Sequence, residues 1–199
     1  IVRLEDGNSW LWSPIPWTKR LGEAVGNIGP VRHIVAPSKL HHLFVQEWKR
    51  ENPEARVYAA PGLPSKRPDL HFDSELNDDA TPPWYNEIPH IVFSGSRFLV
   101  EVEFFHRVSR TAIVVDLIQR LPEDLVSGLP GHLLRLNGLV GEGGGTPLDA
   151  RLTFFHRQPA REARDRLLSL QPERLVIAHG LCAREKATEI LARAFAWLG

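Results

Sequence analysis

Along this 199-residue chain the spacing of apolar positions switches repeatedly between the two-residue period of strands and the 3.6-residue period of helices. Ile1 to Leu4 and Ser9 to Ser13 are strand-like runs separated by Asp6-Gly7, which predicts a hairpin. Pro14 and Pro16 break the second run, and Thr18 is placed to cap a short helix reaching about Val25. Within Val31 to His42 an apolar, β-branched run, Ile34, Val35 and Ala36, stops at Pro37. It is followed by the adjacent pair His41-His42 and a helix-like segment to about Arg50. Arg56 to Ala60 reads as the next strand, so the order strand, helix, strand predicts parallel pairing through a crossover.

The pattern then lapses. Residues 61–89 carry prolines 61, 64, 68, 82, 83 and 89 and the acidic cluster Asp73 to Asp79, and they predict a long loop-rich insertion. Periodicity returns with Ile88 to Phe93 and Arg97 to Phe105, a second hairpin about Ser94-Gly95-Ser96. Thr111 to Leu117 predicts a buried strand that ends on Asp116. Leu121 to Gly145 mixes loop with a short helix, and Pro159 to Leu168 reads as helix. Arg174 to Ala178 reads as strand. A closing helix over 183–198 places Ala187, Ile190, Leu191, Ala194, Phe195 and Leu198 on one face.

Composition narrows the class. Hydrophobic content of 43% and charged content of 24% suit a soluble globular protein, and the length suits one domain spanning 1–199, the alternative being two fused half-domains. Zero formal net charge argues against a nucleic-acid groove or an anionic membrane surface. The single Cys182 excludes an intrachain disulfide. No apolar run approaches the roughly 20 residues of a membrane span, and no signal peptide is visible, so the cytoplasm is the expected compartment. No methionine occurs, even at the first position, so the expectation is that either the N-terminus or methionines and other residues along the chain are missing.

Chemistry concentrates at strand ends. His42, Asp116 and His179 each fall at or just past the carboxyl end of a predicted strand, where α/β proteins form their crevices. Imidazole and carboxylate are donors suited to zinc-like ions. His41 and His42 diverge in a regular strand or helix, so only a turn or a helix start lets both face one ion. The alternative for each histidine is a hydrogen-bonded structural role, and that is the expectation for His33, His71, His90, His132 and His156. Ser109 and Arg110, after His106, offer an anion-binding pair. Glu101 and Glu103 share one face of a strand and read as a solvated edge, the alternative being a hydrogen bond to a ligating histidine. Gly143 to Gly145 lacks the strand and the Lys-Ser/Thr of a phosphate loop.

Ser13-Pro14-Ile15, Ile34-Val35-Ala36-Pro37 with His41-His42, and Lys66-Arg67-Pro68-Asp69-Leu70 together carry a resemblance. So do Phe104-Phe105-His106-Arg107 with Ser109-Arg110-Thr111, Asp116-Leu117 and Ala178-His179-Gly180. In this set the chain resembles an uncharacterised family, a domain of unknown function, related to the metallo-β-lactamase superfamily and here lacking an N-terminal strand. The resemblance implies a metallo-β-lactamase-like four-layer αββα sandwich with mixed sheets and a metal site at one edge between them.

The superfamily signature His-x-His-x-Asp-His is degenerate here. With its last histidine on His42, Pro37 and Lys39 stand where the first two histidines belong, and His41 where the aspartate belongs. The resemblance then makes His106 a ligand of the first metal, Asp116 the bridging carboxylate and His179 a ligand of the second. The first position keeps only His106 and Asp116, with the Lys39 ammonium beside them. The second keeps His41, His42, Asp116 and His179, a set suited to one divalent ion, with zinc the first candidate.

The expected function is therefore hydrolysis dependent on one metal ion, acting on a small-molecule substrate of unspecified class. Asp116 would serve the ion, and Lys39, Ser109 or Arg110 would stabilise developing negative charge. The alternative is a non-catalytic relative that binds a ligand or protein partner in the former active-site cleft.

Overall fold

The Asp6-Gly7 hairpin forms as its sequence predicts. The Asp6 carboxylate accepts from the Asn8 amide at 2.9 Å, Gly7 adopts φ +84°, and β1 (Val2–Arg3) pairs antiparallel with β2 (Ser9–Trp12). The structure, a computed structural model, describes residues 1–199, and these divide into two compact units, Ile1–Trp84 and Tyr85–Gly199.

In the first unit β1 and β2 are followed by α1 (Lys19–Gly26), β3 (Val31–Ala36), α2 (Val45–Glu51) and β4 (Arg56–Ala59). The five-stranded sheet has the order β1-β2-β3-β4-β5, and β2, β3, β4 and β5 run parallel. Ile34 and Ala36 of β3 and Val57 and Ala59 of β4 join Val25, Val45 and Trp48 in one core cluster, so both crossover helices pack on that face. Trp48 also donates through Nε1 to the Ile15 carbonyl at 2.8 Å, tying the Pro-rich turn to α2.

Thr18 caps α1 as expected, its hydroxyl accepting from the Leu21 amide at 3.2 Å. Thr18→Ala should cost about 1 kcal/mol and lower Tm by roughly 2–4 °C in a thermal melt. An unchanged Tm would mean that packing alone holds this helix.

The Pro-rich insertion is more ordered than its composition suggests. It contains the short helix α3 (Leu63–Lys66) and returns as the edge strand β5 (Ser74–Glu75) beside β4. The Asp73 carboxylate accepts from the Val57 amide at 2.7 Å, which anchors this return.

The second unit holds β6 (His90–Phe93), β7 (Glu101–His106), β8 (Thr111–Arg120), α4 (Gly128–Leu136), α5 (Leu148–Leu152), α6 (Arg157–Ser169), β9 (Arg174–Gly180) and α7 (Ala187–Ala194). Its sheet has the order β6-β7-β8-β9; β8 and β9 are parallel, and the other two pairings are antiparallel. Ala160, Ala163 and Leu167 of α6 and Ala187, Ile190 and Leu191 of α7 pack with Val114 and Ile177 in one core.

The closing helix is shorter than its apolar stripe. It starts only after Lys186, whose φ of +58° is left-handed, and it ends in a 3₁₀ turn over Ala196–Leu198. No helix is long and apolar enough to cross a membrane.

Candidate metal centre

A local irregularity in β8 positions Asp116. The expected strand end at this residue is not observed, because β8 continues to Arg120. Val114 is opposite Ile177 and Gln119 opposite His179, so β8 uses five steps where β9 uses two. The surplus over 115–118 bulges, and bulges of this kind redirect side chains. Asp116 Oδ1 lies 2.9 Å from His179 Nε2, with the aspartate side chain 16% exposed and the imidazole 47%. Gly180 closes β9 at φ +112°, and Leu181 then donates to the Arg120 carbonyl at 2.7 Å.

The bulge leaves three consecutive amides outside the β7–β8 ladder, whose last pair is Phe104 with Ile113. Side chains of β7 accept from them. Glu103 Oε2 accepts from the Val115 amide at 3.2 Å. Glu101 accepts from Asp116 at 3.2 Å and from Leu117 at 3.0 Å. Both glutamates are fully buried, which corrects the expectation of a solvated edge: β7 is an interior strand.

Burial, and then the nearby Asp116 charge, push the Glu101 carboxyl up to about 7. Burial and the Glu101 charge push Glu103 well above the ordinary glutamate range. Glu103 Oε1, buried with no donor facing it, is satisfied when it carries a proton shared with Glu101.

A carboxyl that holds its proton more tightly when folded favours the native state at low pH. That contribution declines as pH rises from the unfolded value of 4.5 through about 7. Relative to Glu103→Gln, the wild-type unfolding free energy should therefore fall between pH 5 and pH 8. Parallel curves for the two proteins in denaturant titrations would refute a protonated pair.

The other residues singled out from the sequence are distributed differently. His106 pairs with Thr111 at the start of β8, five residues and roughly 15 Å of strand from Asp116. Its Nδ1 lies 2.7 Å from the Ser109 hydroxyl, which in turn lies 2.7 Å from the Thr111 hydroxyl. Burial lowers the His106 pKa.

Arg110 forms an ion pair with Glu173 at 2.8 Å and donates to the Gln171 carbonyl. His106 as a co-ligand of Asp116, and Ser109 and Arg110 as its catalytic neighbours, are thus corrected. The β7–β8 turn holds all three at the opposite end of the strand.

In the first unit Ser38 follows the strand-ending Pro37, and its hydroxyl accepts from the Leu40 and His41 amides at 3.2 and 3.1 Å. This turn sends the two histidines to different partners. His41 Nδ1 lies 2.7 Å from the Ser13 hydroxyl. Buried His42 has Nε2 2.9 Å from Arg67 Nη1, and Arg67 is paired with Asp69 at 2.7 Å. A guanidinium only donates, so it occupies the His42 Nε2 lone pair. Burial and then the Arg67 charge depress the His42 pKa. The expectation that His42 is a ligand more surely than His41 is corrected on this ground. Lys39 extends over Gly62, and Lys66 donates to the Lys39 carbonyl at 2.8 Å.

Sequence reasoning missed the roles of Glu101, Glu103, Arg67 and Ser13. Two glutamates within the otherwise apolar run Phe98 to Phe105 were a signal for buried carboxylates, since a strand flanked by predicted strands has no edge. Nothing in the spacing connects Arg67 to His42 or Ser13 to His41.

Comparison with solved structures defines the class: this is the metallo-β-lactamase fold, an α/β architecture with two mixed sheets. DIM-1 metallo-β-lactamase matches with a TM-score of 0.63 at 14% identity, over 97% of this chain and 84% of that one. TMB-1 matches with a TM-score of 0.65 at 10% identity, over 98% and 82%. FIM-1 from Pseudomonas aeruginosa, in its mono-zinc form, matches with a TM-score of 0.51 at 12% identity, over 86% and 69%. The chain belongs to the family described as Domain of unknown function (DUF4336), whose profile matches residues 1–134. No curated protein matches it in sequence.

Proposed function

We propose that this protein is a metal-dependent hydrolase using one divalent ion, zinc in the first instance, held by Asp116 and His179. The observation that carries the reading is the 2.9 Å approach of Asp116 Oδ1 to His179 Nε2 across the β8 bulge. Two ligands of a tetrahedral ion with bonds of roughly 2.0–2.1 Å lie about 3.3 Å apart, so the pair fits such an ion after a shift of a few tenths of an ångström. Carboxylate and imidazole are also the donor types that zinc takes in catalytic sites.

FIM-1, which shares the fold, is known in a mono-zinc form, and a single ion is proposed here as well.

An ion in this place would supply Lewis acidity toward water and toward a carbonyl or phosphoryl oxygen. Asp116 would orient the water through its carboxylate, and His179 would set the electrophilic face. Ser109 and Arg110 are held in the β7–β8 turn by His106 and Glu173 and take no part in that chemistry. A small-molecule substrate and the cytoplasm, the compartment expected from sequence, belong to the same proposal.

The test is the metal content of protein purified without chelator, followed by assays on esters, lactones and phosphoesters. About one zinc, iron or manganese per chain together with turnover of one of these classes is the expected result. Near-zero metal, with no rise in Tm when these ions are added, would overturn the reading and favour the alternative of a non-catalytic binding protein.

A further inference from the structure

We infer that Glu101 and Glu103 are the positioning residues of the metal centre: two buried carboxyl groups of β7 replace the missing ladder partners of Val115, Asp116 and Leu117 and so hold the bulge that directs Asp116 toward His179. The inference rests on the proposed metal site and adds the device that builds it. A bulge of three surplus residues in an interior strand exposes three amides to a dry environment, and each unpaired buried amide costs on the order of 1–3 kcal/mol. Without acceptors on β7 the strand would regain its ladder, and a one-residue slip in a strand turns side chains to the opposite face. Glu101 and Glu103 sit on one face of β7 and take all three amides, from Val115 at 3.2 Å, Asp116 at 3.2 Å and Leu117 at 3.0 Å.

The two glutamates have unequal duties. Glu101 accepts from two backbone amides, one of them that of Asp116 itself, and Glu103 accepts from the Val115 amide alone. Glu101→Leu orphans both of its amides, the Asp116 amide included, and Glu103→Leu orphans one that does not belong to a ligand. The geometry thus separates two substitutions that are chemically identical.

The experiment measures zinc affinity by competition with a chromophoric chelator for wild type, Glu101→Leu, Glu103→Leu and Val25→Ala. The last is a core control whose cluster contains no residue of the bulge. In parallel, the His179 ring cross-peak is recorded by NMR in the metal-free proteins. Glu101→Leu should weaken zinc binding at least tenfold and move the His179 peak. Glu103→Leu should weaken it less, by about threefold, and Val25→Ala should lose thermal stability at unchanged zinc affinity.

Equal losses in the two leucine variants, or wild-type affinity in Glu101→Leu, would overturn the inference. If Glu101→Leu fails to fold, Glu101→Asp, which keeps both acceptor oxygens but withdraws them by one methylene, should show an intermediate loss of several-fold; wild-type affinity there would overturn it as well. A wild-type protein that takes up no zinc refutes the metal reading alone. The positioning claim then stands or falls on whether the metal-free His179 peak moves in the Glu101 variant and not in the control.

Discussion

His179→Ala should reduce zinc affinity roughly 100-fold or more and abolish hydrolysis, while His42→Ala and His106→Ala leave metal uptake within about twofold of wild type. Removing the outer hydrogen-bond partner of a ligand alone typically costs 10–100-fold in affinity, and loss of the ligand itself costs more. The contrast follows from placement. His179 shares the bulge with Asp116 at 2.9 Å, His42 is engaged by Arg67 at 2.9 Å, and His106 is bonded within the β7–β8 turn. Metal analysis of the three single variants decides it. A His106→Ala protein that loses its metal as fully as His179→Ala would contradict the register of β7 on β8.

Gly180→Ala is the largest expected loss of stability. Gly180 has φ +112°, a region that side-chain-bearing residues rarely adopt, and a Cβ there would overlap the Arg120 carbonyl oxygen. That carbonyl accepts from Leu181, and the Arg120 guanidinium donates to the Leu181 and Glu142 carbonyls at 2.6 Å each. Strain and displaced hydrogen bonds should together cost about 3 kcal/mol or more, a Tm loss of roughly 6–12 °C. Because Gly180 follows His179 directly, zinc affinity should fall in the same variant. A Tm within 2 °C of wild type would mean that the end of β9 relaxes around the added methyl group.

Local chemistry made much of the architecture legible. The Asp6-Gly7 turn, the Thr18 cap and the β-branched run at 34–36 each act within a few residues, and their elements form there, while the strand read over 97–105 forms over 101–106. The closing helix was legible as an apolar stripe and not as a start point, since Lys186 takes a left-handed conformation that no propensity encodes. The Pro-rich insertion misled through composition. Asp73 reaching back to Val57 is a long-range bond that supplies the order its own sequence lacks.

By itself the sequence determined most of the elements and their α/β alternation, and it put Asp116 and His179 among the candidate ligands with His41, His42 and His106; the metallo-β-lactamase fold came from the resemblance of its motifs. The elements are consequences of periodicity, turn chemistry and residue type, all written locally. Only the tertiary structure decided that Asp116 lies on a bulge, that Glu101 and Glu103 support it, that His42 belongs to Arg67, and that His106 faces away along the strand. Register and bulging depend on which backbone groups find partners across strands far apart in sequence, and a histidine's availability depends on what packs against its ring. Neither property is carried by the residue or its neighbours in the chain.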